Sequence, residues 1–206
     1  MVTAETDPHP VGTIWMLDLD EPAPAILPRL PAEFRRAGPD LVPALSAISA
    51  PDVSAELLKR FLIGRQCYTA WIGEQLAASG WVSFDEEAIG ELNLRIRLLP
   101  GEVYIWDCIT ASPFRGNHLY SALLAYILEE LRLQPVCRAW IGADLDNIAS
   151  QKGMARAGFH HVADLLVAHI SAVRQVWAEG QPGVPERLVD EARRAFLGSR
   201  DIILEK

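Results

Sequence analysis

Two hydrophobic rhythms divide the chain. Residues 91–98 alternate strictly, with Leu92, Leu94, Ile96 and Leu98 on one face and Asn93, Arg95 and Arg97 on the other, the period of a half-buried strand. Cys67–Ile72 and Gln75–Phe84 are two further apolar runs separated by Gly73-Glu74, a hairpin signal. Pro100-Gly101 suits the centre of a type II turn, so Glu102–Thr110 is expected to run back as the next strand. The rhythm then lengthens. Leu119, Leu123, Tyr126 and Ile127 recur at helical spacing, directly after a short polar loop. Val136–Ala143 is expected as a buried strand, Asn147 opens a short helix that Gly158 ends, and Phe159–His169 begins another strand. Residues 170–180 fit either a strand or a helix. Pro185–Leu197 has Leu188, Ala192, Ala195 and Phe196 on one face and Gly198 just past its end, which predicts an amphipathic helix.

The front of the chain is patterned differently, because nine of the fourteen prolines fall within the first 51 residues. Residues 1–11 are expected to be disordered, Gly12–Asp20 to form a strand, and Glu21–Pro31 to be an extended connector. Asp40 is expected to cap a short helix through Ile48. Asp52 begins another, with Val53, Leu57, Leu58, Phe61 and Leu62 on one side and Gly64 as its stop. The expected domain division is an N-terminal extension with a candidate strand over 1–31, a ligand-binding domain over 32–170, and a C-terminal segment with the amphipathic helix over 171–206.

Composition narrows the function classes. Half of the 206 residues are apolar and 22% are charged, the profile of a globular protein, and the formal net charge of −8 argues against nucleic acid or an anionic membrane as partner. Cys67, Cys108 and Cys137 lie far apart with no metal-binding spacing, so no metal site and no disulfide framework are expected. The first ten residues lack the pattern of a signal peptide and no apolar run approaches the roughly 20 residues of a membrane span, so the expected location is cytoplasmic.

The candidate chemistry sits in SPFRGNHLY, Ser112–Tyr120, which joins an expected strand to an expected helix. A helix N-terminus presents unpaired N–H groups and partial positive charge to anions; Gly116 admits close backbone approach and Arg115 adds a cation suited to phosphate. About thirty residues on, Asn147 and Ser150 start a helix that ends in Gly158-Phe159. This pair of motifs resembles the GCN5-related N-acetyltransferase (GNAT) superfamily, whose loop pattern is Arg/Gln-x-x-Gly-x-Gly/Ala followed by Asn-x-x-Ser and Gly-Phe. The resemblance covers Ala32–His169, with AEFRRAGPDLVPAL similar to the family's first strand and helix.

The resemblance implies a mixed α/β fold, with the N-terminal extension and C-terminal helix added, that binds acetyl-CoA as acyl donor without a metal. It implies that Ile109 and Thr110 end the strand pairing with the pantetheine arm. It also implies that Arg115, Gly116, Asn117, His118, Leu119, Tyr120 and Ser121 hold the pyrophosphate through backbone amides, with Ser121 adding its hydroxyl. Asn147, with Ser150, would meet the pantetheine amide. Three positions depart from the pattern. His118 stands where glycine is usual, Tyr120 replaces a small residue, and Met154 occupies the place where many members carry a tyrosine that protonates the leaving thiolate.

Transfer to an amine needs a base. Asp107, beside the expected thioester site, is the first candidate and Glu102 the second; a structural pairing of Asp107 with Arg95 or Arg97 stands beside the catalytic reading. His160 and His161 are weaker candidates. The expected function is direct acyl transfer, most simply acetyl, to a small-molecule or peptide amine. A CoA-thioester-binding domain without turnover is the alternative. The helix over 185–197 either seals its own domain or packs on a second subunit, with a homodimer slightly preferred.

Overall fold

The structure is a computed structural model that describes residues 6–22, 24–90, 94–170, 173–198 and 202–204. In chain order the elements are β1 (Thr6–Asp18), β2 (Glu33–Ala37), α1 (Val42–Ile48), α2 (Ser54–Leu62), β3 (Gln66–Ile72), β4 (Gln75–Ser83), β5 (Glu86–Ile89) and β6 (Leu94–Arg97). They continue with β7 (Glu102–Thr110), α3 (Leu119–Arg132), β8 (Arg138–Asp144), α4 (Ile148–Arg156), β9 (His160–Ile170), β10 (Val173–Gly180), α5 (Glu186–Leu197) and β11 (Ile202–Leu204). Nine strands form one sheet in the order β11-β10-β9-β1-β8-β7-β4-β3-β2, and β5 and β6 form a separate ribbon. The mixed α/β fold is as expected. Every recorded pairing in the large sheet is antiparallel except that of β7 with β8.

Alternation divides the side chains of β1 between two cores. Trp15 and Leu17 join the cluster under α3 and α4, whereas Ile14 and Met16 join the opposite one under α5. In α3, Leu119, Leu123, Leu124, Ile127, Leu128 and Leu131 are all almost fully buried. Each contributes on the order of 1.5–3 kcal/mol relative to exposure, and together they clamp the loop before α3 to the sheet. On the other face α1 and α2 cover β3 and β4 around Leu45, Leu57 and Trp81, while α5 covers β6, β9 and β10.

Several expectations are corrected. Residues 6–11, expected to be disordered, belong to β1, which lies in the middle of the sheet between β9 and β8. This strand alternates too weakly before Val11 to be read from sequence, since Pro8, His9 and Pro10 interrupt it; the register shifts around His9 and Pro10 mark the same irregularity. β6 pairs with the unforeseen β5 and not with β7, even though Leu99–Glu102 makes the expected turn, with Gly101 at φ +88° and a 2.9 Å hydrogen bond from the Glu102 N–H to the Leu99 carbonyl. Arg65 holds β5 in place. Nearly buried, it binds the carboxylates of Asp85 and Glu87 and the Glu86 carbonyl, and so fixes β5. Residues 91–93 of the alternating run lie outside the described residues. Residues 173–180 resolve as strand. Asp40 sits in a single 3-10 turn and caps nothing through its side chain, and Leu58 and Leu62 of α2 face solvent, so only Leu57 of that helix is fully buried. Among the described residues no helix is long and apolar enough to cross a membrane.

Candidate active site

β7 and β8 are hydrogen-bonded in parallel from Glu102 opposite Arg138 to Ile105 opposite Ile141, and beyond that point they part. The parting coincides with a bulge. Between β4 and β7 the register slips from Trp81 opposite Trp106 to Ser79 opposite Ile109, and Asp107 adopts a left-handed φ of +45°. A regular strand would send Trp106 and Asp107 to opposite faces; the bulge lets both meet Arg60 of α2.

Two depressions open where the strands separate. One, of about 370 Å³, is lined by Thr13 of β1, Tyr104, Trp106 and Asp107 of β7, Asp144 of β8, Leu165 of β9 and Phe196 of α5, among others. The second, of about 570 Å³, is lined by Ile109, Thr110, Phe114, Arg115, Gly116, His118, Leu119, Ser121 and Arg156 with their neighbours. Cys108, Tyr120, Asn147 and Ser150 line both. The two spaces are therefore halves of one cleft.

The second half suits an anion. The first turn of α3 leaves N–H groups without intrahelical acceptors, and no side chain caps them. Arg115 and Arg156 stand in the wall. Arg29 reaches the same loop from the N-terminal segment, its N–H donating to the Asn117 carbonyl at 2.9 Å. Desolvation and the Arg156 and Arg29 guanidiniums shift His118 below its ordinary value. It adopts φ +59°, which explains why a loop of this shape favours glycine there. Asn117 does not line the cleft; its side-chain amide donates to the Phe114 and Arg115 carbonyls and locks the loop. Arg115 Nε donates to the Thr110 carbonyl at 3.1 Å, and Ser121 Oγ accepts from Arg156 at 3.3 Å. Asn147 Oδ1 caps α4 by accepting from the Ser150 N–H at 3.1 Å, which leaves its NH₂ for the cleft.

The first half differs in chemistry. Among the described residues its wall has two carboxylates, Asp107 and Asp144, four aromatic rings, and no lysine, arginine or histidine. Asp107 is paired at 2.5 Å with Arg60, whose guanidinium lies 4.4 Å from the Trp106 ring and 5.2 Å from the Trp81 ring. The structural partner of Asp107 is thus Arg60. Arg95 pairs instead with Glu86. Glu102 is not part of the cleft: it lies at the far end of β7, five residues or about 17 Å from Asp107, accepts from the Leu99 N–H, and pairs with Arg194 of α5. His160 meets Glu21 at the surface and His161 meets Asp164, and neither lines the cleft. Met154 is fully buried in the core under α3 and α4 and faces no substrate.

Gly153 and Arg156 were not singled out by sequence. Their only signal is spacing within α4, three and six residues after Ser150, and that becomes meaningful once α4 is known to face α3.

The sequence matches the family model for the acetyltransferase (GNAT) family over residues 50–159. The chain belongs to that family. The matched span runs from just before α2 to the end of the α4 turn and contains both the loop before α3 and the Asn147 cap. No curated protein matches the sequence. Among solved structures, a GNAT-family acetyltransferase from Colwellia psychrerythraea superposes with a TM-score of 0.60 at 15% identity over 80% of this chain and 57% of its own. A GCN5-related N-acetyltransferase from Sphaerobacter thermophilus gives 0.56 at 17% over 84% of this chain and 54% of its own. A Salmonella typhimurium protein with its cofactor acetyl-CoA gives 0.51 at 15% over 68% and 84%. These likenesses establish the fold. The GNAT chain described here spans little more than half the length of the first two.

Proposed function

We propose that this GNAT protein transfers an acetyl group from acetyl-CoA to an amine by direct attack. One observation carries the reading: a single cleft in the parting of β7 and β8 has a cationic, N–H-rich half and an acidic, aromatic half, joined at a narrow wall. The first half suits the phosphates and pantetheine of a CoA thioester, whose polar arm can pair with the freed edge of β7 at Ile109 and Thr110. The second suits an acceptor that arrives as an ammonium, drawn by Asp107 and Asp144, with an apolar or aromatic body against Tyr104, Trp106 and Phe196. Asp107 takes the proton that the nitrogen must lose before it attacks. A covalent acyl-cysteine is disfavoured, because burial pushes the Cys108 thiol up to about 12 and keeps it protonated.

Binding without turnover remains the second reading, favoured by the ion pair that already occupies Asp107. Two measurements separate the readings. Acetyl-CoA at a hundredfold excess over Kd should stabilise the fold by about 2.7 kcal/mol. Gly116→Val, which puts a β-branched residue at φ +79°, should abolish that shift in a protein that still folds, with its unliganded melting temperature lowered by the backbone strain. CoA release with a panel of aromatic and aliphatic primary amines supports the enzyme; saturable binding with no release across the panel supports the binding domain.

A further inference from the structure

The acceptor half of the cleft holds more negative charge than one reacting amine needs, and its two carboxylates differ in state. Asp107 is paired at 2.5 Å with Arg60, whose guanidinium lies against the Trp81 and Trp106 rings. Asp144 is exposed, and among the described residues its carboxylate makes no hydrogen bond or ion pair. Its backbone is nonetheless fixed. The Asp144 carbonyl accepts from the Asn147 N–H at 3.1 Å and from Gln151 Nε2 at 3.2 Å, so the start of α4 sets where the carboxylate stands.

The surroundings of Asp144 leave room for a ligand. Trp140, Gly142 and Asp144 alternate along β8, and Met16, Ile14 and Gly12 stand opposite them in register on β1. Trp140, Ile14 and Met16 belong to the core under α5, so Asp144 and both glycines share that face. A Cβ at Gly142 would stand 3.1 Å from the Thr13 carbonyl oxygen and 3.9 Å from Phe196 Cε1, and one at Gly12 would stand 3.3 Å from the Ala143 carbonyl oxygen. Close backbone approach thus keeps both positions bare, and the cavity floor beside Asp144 carries no side chain at either. An amine attacks only as the neutral base, so the reacting nitrogen has no lasting use for a carboxylate beyond the one that takes its proton. A second carboxylate without a partner, in a wall that has no lysine, arginine or histidine among the described residues, matches a cation that keeps its charge throughout the reaction.

We propose, on the basis of the acyl-transfer function above, that the acceptor is a small dibasic amine and that Asp144 is the specificity-determining residue that holds its second, non-reacting ammonium. The reacting nitrogen gives its proton to Asp107 and forms the C–N bond. The C–S bond breaks with its electron pair on sulfur, and the CoA thiolate recovers that proton, so that amine and thioester become amide and thiol. The apolar body between the two nitrogens lies against Tyr104, Trp106 and Phe196, and the ammonium at Asp144 stays charged from binding to release.

The test compares amines matched in carbon skeleton: putrescine with butylamine, cadaverine with pentylamine, and para-xylylenediamine with para-methylbenzylamine, each read as kcat/KM from CoA release. Per reactive nitrogen, at least one diamine is expected to exceed its matched monoamine by about fivefold, the upper range for an ion pair at an exposed carboxylate, and the difference should shrink as salt is raised. Asp144→Asn should remove the difference while acetyl-CoA still raises the melting temperature as it does in wild type, since Asp144 lines only the acceptor half. Asp144→Lys should reverse it and favour aminovalerate over cadaverine. Diamines no better than their matched monoamines overturn the proposal and leave acyl transfer standing. A preference that survives in Asp144→Asn overturns it too, by removing Asp144 from recognition. Acetyl-CoA binding with no CoA release from any of these amines overturns the acyl-transfer reading and the proposal with it.

Discussion

Asp107 owes its importance to a backbone irregularity of one residue. Without the bulge its carboxylate would point across the sheet from Arg60 and Trp106, and the acidic half of the cleft would lose its best-held charge. Asp107→Asn should retain acetyl-CoA binding and lower turnover by about 10²-fold or more, checked by CoA release with whichever amine proves an acceptor. The buried thiols give a second prediction. Burial is the main cause that raises Cys67 and Cys108 above the ordinary value of 9.0, Cys108 to about 12. Between those two values the unfolded chain has lost protons that the folded chain keeps. Stability should therefore be fully present below about pH 9 and fall as pH rises from there towards 12, seen as a declining urea midpoint that Cys108→Ala makes shallower. In the native protein thiol reagents should modify exposed Cys137 first.

At the scale of elements, α4 and α5 do separate jobs. The α3–α4 contact depends on Gly153, and Gly153→Ala should destabilise the fold by about 1–3 kcal/mol through overpacking against Tyr120, although alanine is the better helix former. The sign distinguishes packing from propensity, and a denaturation curve reads it. α5 closes the acidic half of the cleft: Phe196 is fully buried, stands edge-on to Tyr104 and Trp140, and lines the cavity. Phe196→Ala should cost about 3–5 kcal/mol and weaken acceptor binding more than acetyl-CoA binding, a split visible in the two KM values.

For the whole molecule, the apolar stripe of α5 is used inside its own chain, with Val189, Ala192, Ala195 and Phe196 all buried against β6, β9 and β10. The stripe is therefore already covered within its own chain, and a homodimer, which sedimentation of the full chain at micromolar concentration would read as twice the chain mass, would have to use another face. Arg138 reinforces the closure by pairing with Asp18 of β1 and Glu191 of α5, which ties the first strand and the last helix to β8.

Sequence alone determined the features that are local. The period-two and period-3.6 patterns, the Pro100-Gly101 turn and the Asn147 cap are written in neighbouring residues, because turns, caps and amphipathic faces depend on contacts a few positions apart. The anion-binding loop was legible for the same reason, as a helix start with glycine and arginine in it. Tertiary structure decided what depends on distant partners. It placed β1 between β8 and β9, paired β5 with β6 while Arg65 anchored β5, bent Asp107 onto Arg60, and removed Glu102 to the far end of its strand. It also brought Tyr120 onto Gly153. Strand order and the meeting of two side chains from different helices have no signature in local sequence, since the hydrogen bonds and packing that select them form only when the sheet is assembled.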